Sequence, residues 1–95
     1  MPIKPAYTYQ TASGIVSTVK TKVVKIIVTP DGTNASYVDV HDGVSASDPQ
    51  VIRLRVPATQ SVPFPFEDDL ILERGLYLVF GTNLSSVTVL WEPEE

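Results

Sequence analysis

His41 is the only histidine in this 95-residue chain, with Asp39 two residues before it and Asp42 one after. A histidine oriented by a carboxylate can act as a general base, and beside a hydroxyl it can activate a nucleophile. The spacing argues against that chemistry. Asp39 shares the outward phase of a strand with His41, Asp42 begins a turn, and no serine is set beside the histidine by sequence. His41 is therefore expected to face solvent from a strand. Seven acidic residues, Asp31, Asp39, Asp42, Asp48, Glu67, Asp68 and Asp69, raise the question of calcium. Calcium takes about six to eight oxygens, usually from several carboxylates within one loop. No Asp-x-Asp-x-Asp-Gly run is present, Asp31 and Asp42 have turn duties, and Asp48-Pro49 starts a turn. Residues 67–69 read as a solvated face. No catalytic group, cofactor or metal is assigned, and the chain is expected not to be an enzyme.

Aromatic side chains are the remaining candidates. Exposed coplanar faces could bind sugar, but Trp91 shares phase with Val87 and Val89 and is expected to cap the core. Tyr37 is expected outside, beside Arg55. The extended segment at residues 1–13 carries Ile3, Tyr7 and Tyr9, the side chains expected to bind a partner. Pro2 and Pro5 disfavour helix there, and Tyr7 and Tyr9 alternate with Thr8 and Gln10 as in a strand. Such an arm can add itself to a neighbour's open sheet edge, or it can pair within its own sheet. Both readings stand.

The elements that must position these residues follow from a period of two. Val38-Asp39-Val40, Ile52-Arg53-Leu54-Arg55-Val56, Val62-Pro63-Phe64-Pro65-Phe66 and Val87-Thr88-Val89-Leu90-Trp91 alternate apolar residues with others. Valine, isoleucine and threonine supply 29 residues, against 13 for leucine, alanine and methionine. Branching at Cβ suits a pleated sheet better than a helix. The first full strand is expected over residues 20–29 with Val24, Ile26 and Val28 inward and Val23 and Ile27 outward. Residues 30–34 then turn, with Pro30 setting φ and Gly32 supplying a positive φ.

Strands at 36–41 and 51–56 are expected to pair across the polar loop 42–50. Alternation sets Val38 opposite Leu54 and Val40 opposite Ile52, which brings Asp39 to Arg53 and Tyr37 near Arg55. A one-residue slip would lose both the ion pair and the buried face. Residues 61–66 belong on a sheet edge, because Pro63 and Pro65 cannot donate to a ladder. A short strand is expected at 70–72. Residues 76–81 and 86–91 are expected to form a last hairpin around Thr82-Asn83-Leu84. The similar runs Asp31-Gly32-Thr33-Asn34-Ala35-Ser36 and Asp42-Gly43-Val44-Ser45-Ala46-Ser47 read as one turn chemistry used twice.

These elements predict an all-β fold, a single small antiparallel β-sandwich of Greek-key or jelly-roll type with seven or eight strands. The sandwich is expected over residues 14–92, between the arm and a frayed tail at 93–95. A chain this size buries roughly 60% of its unfolded surface, and with no cysteine it gains nothing from disulfides or thiolate metal sites. Oligomerisation is the remaining aid. The net charge is −4, and basic residues cluster only at Lys20, Lys22 and Lys25, so no nucleic acid is expected as a partner. No apolar run is long enough to span a membrane, and the first residues lack a signal-peptide core. Synthesis in the cytoplasm is expected.

Three segments, Tyr37-Val38-Asp39-Val40-His41-Asp42-Gly43, Gly75-Leu76-Tyr77-Leu78-Val79 and Val87-Thr88-Val89-Leu90-Trp91, give residues 23–91 a likeness to known proteins. The chain resembles small β-sandwich virion proteins of tailed bacteriophages, of the capsid decoration or head and tail accessory type. The resemblance implies a non-enzymatic structural protein, made in the host cytoplasm and located in the virion, that binds and reinforces an assembled lattice. It implies a homotrimer contacting the major capsid protein or another virion protein, and it carries over no contact residue. The rival expectation is a carbohydrate-binding or host-attachment module of a phage tail.

Overall fold

The computed structural model describes residues 6–93, apart from the side chains of Ala6 and of residues 67–69. Eight strands follow in chain order: β1 (Ala6–Gln10), β2 (Gly14–Ser17), β3 (Thr21–Pro30), β4 (Ser36–His41), β5 (Gln50–Val56), β6 (Val62–Leu72), β7 (Leu76–Phe80) and β8 (Leu84–Pro93). They make two antiparallel sheets, sheet A in the order β1-β8-β3-β6 and sheet B in the order β2-β7-β4-β5. The pairs β1–β8, β2–β7, β3–β6 and β4–β5 are successive rungs of one long hairpin whose tip lies between β4 and β5. Rolling that hairpin sets β8 beside β3 and β7 beside β4, which completes each sheet. The result is an all-β sandwich, as the strand patterns predicted, and of the two expected types its eight strands follow the jelly-roll order.

The two sheets close on one core. Sheet A contributes Val23, Ile26, Val28, Leu72, Val87 and Val89, and sheet B contributes Val38, Val40, Leu54, Val56, Leu76 and Leu78. All twelve are buried, and Trp91 packs against their margin. Burying side chains of this size is worth roughly 1.5–3 kcal/mol each, the main favourable contribution to folding.

Register is where sequence and structure can be compared residue by residue. Val38 pairs with Leu54, Asp39 with Arg53, Val40 with Ile52 and Tyr37 with Arg55, as expected. Ile52 is nevertheless exposed on the edge strand β5, and the β4–β5 register shifts just beyond it, between Val40 and His41. In β3 the register shifts between Val23 and Lys25, so Val24 is an extra residue against β8. That bulge inverts the expected phase at the start of the strand. Val23 is inward and fully buried, while Val24 is only half-buried.

The expected last hairpin does not form. β7 lies in sheet B and β8 in sheet A, so residues 81–83 cross between layers instead of reversing within one. Three hydrogen bonds tie down the crossover: Gly81 N–H to Tyr37 O, Asp31 N–H to Asn83 O, and Ser36 Oγ to Thr82 O. Asn83 takes a positive φ of 72° there. The strands expected at 61–66 and 70–72 are one strand, β6, which does lie at the edge of sheet A. The paired turns also differ. Asp31 Oδ1 accepts from Thr33 N and Asn34 N at 2.7 and 2.9 Å, a local turn with Gly32 at φ 92°. Asp42 Oδ1 instead accepts from Arg74 N, across the end of the sandwich.

Candidate functional site

The expected partner-binding residues fall on sheet A. Ile3 lies outside the described residues. Residues 6–10 of the expected arm are β1, paired with β8 over Ala6–Trp91, Tyr7–Leu90, Thr8–Val89, Tyr9–Thr88 and Gln10–Val87. Thr8 turns towards the core margin, where its Oγ1 accepts a hydrogen bond of 2.9 Å from Trp91 Nε1. Alternation then sends Tyr7 and Tyr9 to the opposite, outer face, where they are 74% and 61% exposed. Following the register across the sheet gives two rows on that face. One runs Tyr7, Leu90, Lys25, Pro65, and the other Tyr9, Thr88, Ile27, Pro63. The fold thus gathers two exposed tyrosines, two exposed prolines and the half-buried Ile27 and Leu90, with Lys25 and Thr88 among them, on one outer surface. Sequence reasoning found the tyrosines and missed the company they keep. The signal was present in Ile27, an outward apolar residue on a strand whose other face is core.

Sheet B carries the polar cluster. Arg53 Nε donates to Asp39 Oδ1 at 2.7 Å and Nη2 to Oδ2 at 3.1 Å, a two-point pair across β4 and β5. Gln50 Nε2 reaches the same Asp39 Oδ1 at 3.4 Å. Hydrogen bonding to Asp39 holds the Arg53 pKa above its ordinary value. The guanidinium also lies 4.0 Å over the Tyr37 ring, so Tyr37 is covered by Arg53 and is half-buried instead of exposed. Asp39 is itself buried on this outer face. The pair can orient the sheet and lock its register. Both Asp39 oxygens are already engaged by Arg53.

His41 is buried, at 7% exposure, which corrects the expectation of a solvent-facing residue. The loop 42–49 folds back over it, and its Nδ1 lies 2.7 Å from Asp48 O. Asp48 organises that loop by accepting from Val44 N and Ser45 N at 2.7 and 3.2 Å. The backbone donor of Val44, helped by those of Ser45 and by the charge of Arg74, lowers the Asp48 pKa. Asp31 is lowered in the same manner by the backbone N–H groups of Asn34 and Thr33. Their carboxylates are thereby committed to turn geometry. Among the described residues no three His, Asp or Glu side chains gather to hold a metal, and no cavity opens. The side chains of Glu67, Asp68 and Asp69 lie outside the described residues.

The chain matches no protein-family model, no curated protein and no solved structure. Its class is defined by the fold alone, an all-β jelly roll with an open aromatic and apolar sheet face.

Proposed function

We propose that this chain is a non-enzymatic structural protein of a tailed-phage virion, which binds an assembled lattice as a homotrimer and reinforces it. The jelly roll serves capsid domains, lectins and cupins alike, so the fold by itself selects no activity. What supports the reading is the outer face of sheet A, where Tyr7 and Tyr9 stand exposed beside Ile27, Leu90, Pro63 and Pro65. Tyrosine offers a large contact area at small entropic cost, and an open apolar face suits a flat protein partner better than a small molecule. A lattice multiplies such a contact, because a trimer engages several equivalent sites at high effective concentration. The major capsid protein or another virion protein is the proposed partner.

The test uses antiserum raised against the purified chain. Phage particles released from a lysed source culture are labelled and viewed by electron microscopy. Label on the particle shell supports the proposal, and label confined to the soluble fraction overturns it. Light scattering on the purified chain tests the trimer separately. Retention on a glycan array, lost in Tyr9→Ala, would replace the lattice reading with host attachment.

A further inference from the structure

Each sheet has two edge strands, and an edge offers unpaired backbone groups to any strand that can reach it. Three of the four edges carry a device that discourages pairing. In β6, Pro63 and Pro65 remove donors and stand exposed. In β5, Val51 is an extra residue against β4, and Arg53 and Arg55 follow it. In β2 only four residues are extended, and the register shifts between Ile15 and Ser17. Within Ala6–Gln10, the described strand, β1 has no proline, no charge and no register shift through all five pairs with β8.

We infer that the free edge of β1 pairs with β1 of a second copy of this chain, antiparallel about a twofold axis through Thr8. The strand is self-complementary in that register. Thr8 meets Thr8, Ala6 meets Gln10, and Tyr7 of each copy lies opposite Tyr9 of the other. All four tyrosines then line one outer face, as two aromatic cross-strand pairs of a type that stabilises sheets. The chain carries a net charge of −4, and the edge is free of carboxylates, so two copies can meet there without opposing like charges. A five-residue strand pair is small for an interface, so in solution the contact forms only at high concentration. The pairing does not rest on the virion reading. Within that reading it is a second contact, joining one trimer to the next, since a threefold and an isologous twofold together extend a lattice.

The chain has no cysteine, which makes thiol pairing a clean test. Tyr7→Cys and Tyr9→Cys are purified separately and oxidised mildly, alone and mixed, at high concentration. In the proposed register, positions 7 and 9 of the two copies face each other at about 5 Å between Cα atoms, within disulfide reach. Identical positions are offset by two residues, about 7–8 Å apart and beyond it. The mixture is expected to cross-link and each variant alone is not. Equal cross-linking in all three samples, or none in the mixture, overturns the inference. Sedimentation equilibrium gives a second reading with no new thiol. The apparent mass of the unaltered chain should rise with concentration above that of the Tyr7→Lys/Tyr9→Lys double variant, to twice it where the variant is a monomer and beyond twice where the variant is a trimer. Equal masses at every concentration overturn the pairing even if the chain proves to be a virion protein.

Discussion

At the scale of single residues, two arginines two positions apart on β5 differ in what they hold. Both are exposed, but Arg53 holds the buried carboxylate of Asp39 at two points and lies over Tyr37, whereas Arg55, two residues on, has no such contact among the described residues. Arg53→Ala leaves the buried Asp39 without its main partner and should lower the urea midpoint clearly. Arg55→Ala should stay within about 0.5 kcal/mol. Urea unfolding of the two variants checks the contrast, and equal losses would remove the special role of the pair. The Asp39–Arg53 contact was legible because period-two alternation and opposite charge point to one register. His41 was not legible, because its burial comes from the loop 42–49 folding over it, and alternation carries no information about that. Asp48 supports a prediction in pH. Its folded pKa is depressed by backbone donors, so its contribution is complete above the ordinary aspartate value and is lost as pH falls through the folded one. Asp48→Asn keeps an acceptor for Val44 N–H but cannot titrate. The variant should melt below the unaltered chain near neutrality, and the gap should narrow as the solution is taken to about pH 2. A gap that is constant with pH would show that the charge of Asp48 is not what the loop uses.

At the scale of elements, the connections decide more than the strands do. Gly75 links β6 to β7 with φ at 146°, and a Cβ there would run into the carbonyl oxygen of Ser17 and lie 2.9 Å from that of Gly43. Both neighbours are backbone and cannot swing aside. Gly32 also has a positive φ, 92°, yet a Cβ there meets nothing within 4 Å. Gly75→Ala should therefore cost about 2–3 kcal/mol or more, and Gly32→Ala about 1 kcal/mol from backbone strain alone. Thermal melts of both variants measure the difference, and a Gly75→Ala loss no larger than that of Gly32→Ala would contradict the crowding. Strand existence was largely legible, since apolar residues alternate through much of β4, β5, β6 and β8. The bulge at Val24 was not, because valines at both 23 and 24 satisfy either phase and only pairing with β8 and β6 chooses between them. β2 was missed for its brevity. Thr82-Asn83-Leu84 misled for another reason: its turn residues serve a crossover between layers as well as they serve a hairpin.

At the scale of the whole molecule, a jelly roll asks every connection but one to change sheets, and here only β4 and β5 are consecutive strands that pair with each other. Short-range signals can therefore announce the class of fold while misplacing a strand in the wrong layer, as with β7 and β8. The same topology ties the first strand to the last. β1 pairs with β8 along its whole length, and Thr8 accepts the indole proton of Trp91 at the core margin. A deletion of residues 1–13 would thus do more than remove an arm. It would strip the partner from one side of β8, open the core beside Val87 and Val89, and leave the Trp91 donor without Thr8. The loss should exceed about 2 kcal/mol, from one side-chain hydrogen bond, a strand's worth of ladder bonds and newly wetted apolar surface. Removing residues 1–5 alone leaves every one of these contacts in place, which makes it the comparison for the longer truncation. Urea unfolding compares the two truncations, and hydrogen exchange at Val87 to Trp91 reads the β8 ladder directly. If the longer truncation unfolds at the same urea concentration as the full chain, with β8 amides equally protected, then β1 is an appendage and the sandwich closes without it. If it unfolds earlier while the shorter one does not, the stretch carrying Tyr7 and Tyr9 is a strand of the fold, and any partner it binds must be met on an edge and a face that the sheet itself holds rigid.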